Sequence, residues 1–275
     1  MSSDVAHWYS LPTPFSSSQD PIHHDIAGLS EAAVRAGHRY TVVCSDNRDN
    51  DFESADLITV DYSAYLDREY LTRSEMIEDH VRGRVGLRRR WLDRHFQPAV
   101  EALRDADGPI LIHKSHIGES VPRQLRRAGV DVPIYLYFHN DPSSGYGRRE
   151  LRAMFAMVNG VISVSTDLQE RIRERVGADW DGTRFATVHN AIDPSAFASE
   201  SAGRAGRETV GILFVGIMAP YKGPQVLLDA LEQLPTDRPF RATFVGASQR
   251  VVGAAPSEFE TALRSRAALR FGDRV

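Results

Sequence analysis

The segment Thr209–Leu231, TVGILFVGIMAPYKGPQVLLDAL, narrows the available folds more than any other stretch of the chain. An apolar run closes on Gly216, a short loop carries Lys222 and Gly223, and a run with helical apolar spacing follows. That order describes a buried parallel strand entering a helix through a glycine-bounded loop. Such a loop suits a phosphate: helix N–H groups and the helix dipole face the anion, and a lysine adds a full charge.

The same alternation runs through the rest of the sequence. Val5–Tyr9, His38–Ser45 and Ala55–Tyr62 read as strands, and Ile22, Ile26, Leu29 and Ala33 share one face of a helix between the first two. A long helical region covers residues 74–106, with Leu92, Phe96 and Leu103 as its core stripe. Strands at Pro109–Lys114, Pro133–Phe138, Gly160–Ser165 and Arg184–His189 then alternate with helices at Val121–Ala128, Arg148–Val158 and Thr166–Val176. Small and polar residues interrupt the pattern near Ala198–Arg207, so residues 1–197 form a first domain and 198–206 a linker. From residue 207 to 275 the alternation restarts, with strands at Val210–Val215, Phe240–Val245 and Leu269–Phe271 and helices at Pro224–Leu234 and Pro256–Ala267. The expected class is α/β, with parallel sheets covered on both faces. Only four residues follow the last expected strand, so the native chain is expected to continue past Val275.

Composition removes several functions. The 275 residues hold 33 Lys+Arg against 37 Asp+Glu, a net charge of −4 that argues against a dedicated nucleic-acid binder. No apolar run reaches the roughly 18 residues of a membrane span. The start, MSSDVAHWYS, lacks the basic and apolar regions of a signal peptide. The single cysteine, Cys44, lies in the apolar run TVVCS and reads as a buried inert thiol. A soluble, cytoplasmic protein is expected.

Five segments together resemble family 4 glycosyltransferases. VHNAIDPSAF (Val188–Phe197) is similar to the "PNGVD…F" segment that closes their first domain. ILFVGIMAPYKGPQVLLDAL resembles the "ILFVGRLxPEKG" opening of their second domain. ATFVGAS (Ala242–Ser248), VISVSTDLQERI (Val161–Ile172) and HNDPSSG (His139–Gly145) match further pieces in the family's order. The resemblance implies a GT-B architecture of two Rossmann-like domains facing each other across a cleft, the second incomplete in this chain. It implies a nucleotide-sugar donor on the second domain and an acceptor on the first, whether saccharide, lipid-linked or small molecule. Transfer would retain configuration, with no cofactor and no metal.

Residue by residue, the resemblance implies a catalytic role for His139 and donor-phosphate contacts at Gly216, Lys222 and Gly223. Asn140, Asp141 and Asn190 are the candidate acceptor or sugar contacts, although Asp141 before Pro142 also suits a turn and Asn190 and Asp193 suit a structural crossover. The first loop, TPFSSSQD, brings Ser16, Ser17, Ser18 and Gln19 where many members have glycines. It is read either as a further phosphate contact or as a helix N-cap ahead of Ile22.

Two departures stand out. The family's "VGRL" arginine is Ile217, with Arg250 the nearest candidate to replace it, and the chain stops before the family's paired-glutamate segment. They leave open a second reading, a non-catalytic nucleotide-sugar binder or degenerate interaction subunit. A dinucleotide oxidoreductase does not fit, because SLPTPFSSSQD contains no glycine. The run Arg82, Arg84, Arg88, Arg89, Arg90 and Arg94 around Trp91 reads either as a solvated helix face or as a peripheral contact with an anionic membrane or acceptor.

Overall fold

The computed structural model describes residues 5–12, 21–45, 52–68, 70–113, 117, 119–177, 179–192, 194, 209–235, 239–248 and 255–275. The chain forms two compact units, Met1–Pro194 and Ser195–Val275.

The first unit is built on seven parallel strands: β1 (His7–Leu11), β2 (Arg39–Ser45), β3 (Asp56–Val60), β4 (Ile110–Ile112), β5 (Ile134–Phe138), β6 (Gly160–Ser163) and β7 (Arg184–Thr187). Their spatial order is β3-β2-β1-β4-β5-β6-β7. Strand β1 sits where the order reverses, with Tyr9 opposite Thr41 of β2 on one side and Ile110 of β4 on the other. In such sheets ligands bind outside the strands' carboxyl ends at this reversal.

Helix α1 (Pro21–Arg35) covers one face: Ile22 and Ile26 pack on Tyr40, Val42 and Cys44. The opposite face carries α3 (Arg90–Ala102), α4 (Ser120–Arg127), α5 (Arg148–Phe155) and α6 (Thr166–Val176), whose Phe96, Leu125, Phe155 and Ile172 share a core with Leu11, Ile112 and Phe138. The Ser-Thr of VISVSTDL starts α6, where the Ser165 hydroxyl accepts the Leu168 N–H at 3.1 Å as its N-cap. Cys44 is buried, as expected.

The helical region expected over 74–106 is two helices, α2 (Arg73–Arg84) and α3. The chain reverses between them through Gly86, whose φ of +79° belongs to the left-handed region that glycine tolerates.

In the second unit, β8 (Val210–Val215) and β9 (Phe240–Val245) pair in parallel, and α7 (Pro224–Glu232) and α8 (Glu258–Phe271) pack on one face of them. The expected strand Leu269–Phe271 is instead the last turn of α8. Leu263, Ala267 and Phe271, spaced four apart, continue one helical stripe into the core, while Leu269 is exposed. The helix stops only at Gly272, φ +55°.

Candidate functional site

At the reversal point a line of polar side chains runs through the first unit. Ser10 stands near the end of β1, His113 directly follows β4, His139 directly follows β5, and Asp25 lies in α1. The Tyr40 hydroxyl meets the Ser10 hydroxyl at 2.5 Å, and Ser10 Oγ meets His113 Nε2 at 3.0 Å. His113 Nδ1 lies 3.3 Å from His139 Nε2, whose Nδ1 lies 3.4 Å from Asp25 Oδ2. Tyr137 packs its ring on both histidines, at 5.3 and 4.7 Å between centroids, and donates its hydroxyl to the Val188 carbonyl.

Burial sets the protonation states. His113 is fully buried, and desolvation, helped by the charge of His139, holds its pKa well below the ordinary histidine value. Desolvation pushes the Tyr40 phenol up to about 12. Near neutrality both groups are therefore uncharged.

Two proton arrangements then satisfy the line. In one, Tyr40 donates to Ser10, Ser10 to His113 and His113 to His139, whose other ring nitrogen faces the Asp25 carboxylate. In the other, His139 donates to His113, and every hydrogen bond beyond His113 reverses. The line is thus a relay of side-chain hydrogen bonds whose direction follows the tautomers of its two histidines.

Of the sequence-predicted residues, His139 lies within this relay, with both ring nitrogens facing protein groups. Asn140 is exposed beside it. Asp141 starts a turn: its Oδ1 accepts the Ser143 N–H at 2.8 Å and caps one turn of 3-10 helix over Pro142–Ser144. Asn190 is exposed beyond β7. Ser16, Ser17, Ser18, Gln19, Asp193 and Arg250 lie outside the described residues.

The loop after His139 is held from outside the sheet. Arg89, between α2 and α3, is buried; its Nε lies 2.9 Å from Glu150 Oε1, and a second nitrogen donates to the Gly145 carbonyl at 2.6 Å. Its guanidinium stacks 4.3 Å from the Tyr146 ring centre. Arg89 alone departs from the solvated-face reading of the arginine run; Arg84, Arg88, Arg90 and Arg94 are exposed. Arg89 is an internal clamp, Arg90 pairs with Glu78, and Arg82 donates to the Arg88 carbonyl.

In the second unit the lysine loop takes the expected form. Gly216 ends β8, its N–H donating to the Val245 carbonyl at 3.0 Å, and one 3-10 turn (Pro220–Lys222) leads to Gly223, φ +77°, which caps α7. Lys222 is exposed, has no ion-pair partner among the described residues, and lies 5.6 Å from the Tyr221 ring centre. Val226 and Leu227 donate their N–H groups to Gly223, and Pro224 has none; the Gln225 N–H is the donor left facing the loop. Ile217 is half-buried.

Sequence reasoning missed Gly246. A Cβ there would lie 1.9 Å from the Gly216 carbonyl oxygen, so this glycine lets the ends of β8 and β9 converge beneath the loop. A cavity of about 450 Å³ in this unit runs between β9 and α8, past Thr243, Glu260 and Arg264, and does not include Lys222. The lysine loop is open surface and not part of that cavity.

Tyr40, Ser10, Asp25 and His113 were missed as well. For Ser10 and His113 the one sequence signal is a polar residue at or just past the end of an apolar run, HWYSL and ILIH, as His139 is after IYLYF; Tyr40 and Asp25 carry none.

Comparison with known proteins agrees with this architecture. The sequence model of Glycosyltransferase Family 4 matches residues 26–196. No curated protein sequence matches the chain. Among solved structures, a glycosyltransferase from Rickettsia africae superposes with a TM-score of 0.63 at 12% identity, over 98% of this chain and 66% of that one. An α,α-trehalose 6-phosphate synthase from Burkholderia multivorans gives 0.59 at 14% identity, over 98% and 69%. MnaA of S. aureus, in complex with UDP, gives 0.50 at 12% identity, over 98% and 67%. The chain thus spans about two thirds of the length of these neighbours. Two Rossmann-like parallel-sheet units of this kind are the GT-B fold class. The family match covers more than half of the chain, and the chain belongs to glycosyltransferase family 4.

Proposed function

We propose that this protein takes part in transferring a sugar from a nucleoside-diphosphate sugar to an acceptor hydroxyl. The donor's diphosphate would lie on the second unit and the acceptor on the first. The observation that carries this reading is the lysine loop: an exposed, unpaired Lys222 after a parallel strand, beside a glycine-capped helix start, in a chain of this family. As the bond from anomeric carbon to phosphate breaks, negative charge gathers on the leaving diphosphate. Lys222 and the α7 N-terminus supply positive potential for it without a resident cofactor or metal. Configuration at the anomeric carbon would be retained, as the family resemblance implies. The complex of MnaA with UDP supports the same class of ligand on this fold.

On the first unit, His139 and Asn140 stand at the strand ends where the acceptor and the donor sugar would meet the protein. The relay behind His139 holds the orientation of its ring. Ile217, standing where the family pattern has arginine, favours a second reading, in which the chain binds the nucleotide sugar without transferring it.

Titration calorimetry with UDP, GDP and UDP-sugars tests the donor site. We expect Lys222→Ala to weaken nucleoside-diphosphate binding by about 1.5–3 kcal/mol, the worth of a charge-assisted contact. Absence of binding to every nucleotide would overturn the donor assignment. Equal affinity in both proteins would remove Lys222 from it. Transfer of labelled sugar to any acceptor separates the enzyme from the binder.

A further inference from the structure

Helix α2 is packed inside out. Its buried stripe is Glu75, Asp79 and Gly83, while Met76, Ile77 and Val81, with Val85 and Leu87 just beyond its end, are between 52% and 68% exposed. A surface helix ordinarily turns its apolar residues to the core.

The inward stripe has an internal explanation. Asp79 accepts the N–H groups of Trp91 and Leu92 at 3.3 and 2.7 Å and so caps the start of α3. Glu75 closes a capping box with Thr72 and pairs with Arg68. At Gly83 a Cβ would lie 1.9 Å from Glu150 Oε1, where the Arg89 clamp passes.

The outward face has no such explanation within its own unit. On a helical projection Arg73, Ile77, Val81 and Arg84 fall together opposite the buried stripe, and Val85, Leu87 and Arg88 extend the patch through the turn into α3. Arg73, Arg84 and Arg88 are exposed and have no ion-pair partner among the described residues. The nearby carboxylates are committed elsewhere, Glu75 to Arg68, Glu78 to Arg90 and Asp79 to α3. A chain of net charge −4 therefore carries a locally positive, apolar-centred face.

We infer that this face docks on an anionic lipid bilayer, with Ile77, Val81, Val85 and Leu87 entering the interface and Arg73, Arg84 and Arg88 reaching the headgroup phosphates. Charge complementarity selects this occupant. Arginines around an apolar strip match the interfacial layer, where long basic side chains extend to the phosphates while their stems stay in apolar surroundings. A nucleic acid would satisfy the arginines and leave four apolar side chains in water. The inference rests on α2 and its turn alone, so it stands or falls separately from sugar transfer.

Flotation of the full chain with vesicles tests it, using phosphatidylcholine alone and an equimolar mixture with phosphatidylglycerol. We expect binding to the mixed vesicles, little to phosphatidylcholine, and release as salt rises. Arg73→Gln, Arg84→Gln and Arg88→Gln should each lower the partition coefficient about fivefold, and Ile77→Ser with Val81→Ser by about tenfold or more. Leu269→Ser, an exposed leucine in the other unit, should change nothing. These side chains are exposed, so the variants should melt like the parent, and a melt checks that they do. Failure to float with the mixed vesicles overturns the inference, as does flotation that the α2 variants leave intact. Self-association in light scattering that Ile77→Ser/Val81→Ser abolishes, without vesicle binding, would instead make the face a contact between copies of this chain.

Discussion

Replacing Arg89 with alanine should lower the stability of the first unit by about 3–5 kcal/mol, the cost of stranding a buried charge. The carboxylate left behind, Glu150, is itself buried, and the Gly145 carbonyl would lose its donor in the same step. For a unit of this size the loss corresponds to a melting-point drop of roughly 10 °C. Most of that cost belongs to the unpaired partner and not to the ion pair, because two charges removed from water gain little over an apolar pair. Arg89→Met combined with Glu150→Gln should therefore be at least about 2 kcal/mol more stable than Arg89→Met alone. The glutamine keeps the acceptor that caps Gly147 at 2.9 Å. Denaturant titration of the two single variants and the double variant gives the coupling directly. A loss below about 1 kcal/mol for Arg89→Ala would show that the clamp is slack.

The second large effect is acid sensitivity well above the carboxylate range. His113 and His95 are both buried and neutral in the fold. Desolvation brings His95 down to about 4, and burial together with the charge of His139 carries His113 well below the usual value. In the unfolded chain each binds a proton near pH 6.5. Below that pH the unfolded state holds more protons, so stability is fully present above about pH 6.5 and falls as the pH drops. The slope is about 1.4 kcal/mol per pH unit for each histidine, and it persists for His95 until about pH 4. Stabilising carboxylates such as Glu75 and Glu260, whose pKa values are lowered, lose their contribution only below their unfolded value of 4.5. The two windows are thus separable. His95 packs between Tyr62 and Phe96 with ring centres 5.4 and 4.9 Å away. His95→Phe keeps that packing and should remove about half of the slope between pH 6.5 and 5. Denaturation midpoints at several pH values decide the matter; an unchanged slope would exclude His95 as a source.

How far the sequence disclosed this depended on whether the relevant contacts were local. The strand, glycine, lysine and helix of the lysine loop fall within 23 consecutive residues and appear as read, from Val210–Val215 to the start of α7 at Pro224. The final strand differs from the structure because the alternating triplet LRF is too short to separate a strand from a helix; only its register with Leu263 and Ala267 shows a helix. Helix α2 defeated the pattern differently. Met76, Ile77 and Val81 look like a core stripe, and nothing in the local sequence says that Glu75 and Asp79 will be needed inward as caps. The relay is the least legible feature. Ser10, Asp25, Tyr40, His113 and His139 come from three strands or strand ends, one helix and β2, and meet only because the chain crosses back at β1.

That crossing also has a consequence for how the protein is made. Strand β1 cannot complete its pairing until β4 exists, and closing a loop of roughly a hundred residues costs about 4 kcal/mol of chain entropy before any contact is gained. On a ribosome adding about 5–20 residues per second, β1 waits roughly 5–20 s with one edge unpaired. During that interval the nascent chain exposes an apolar strand to other nascent chains. Of all the strand pairings in the first unit, β1 with β4 spans the longest stretch of sequence, so the β1 edge beside Ser10 stays open longest.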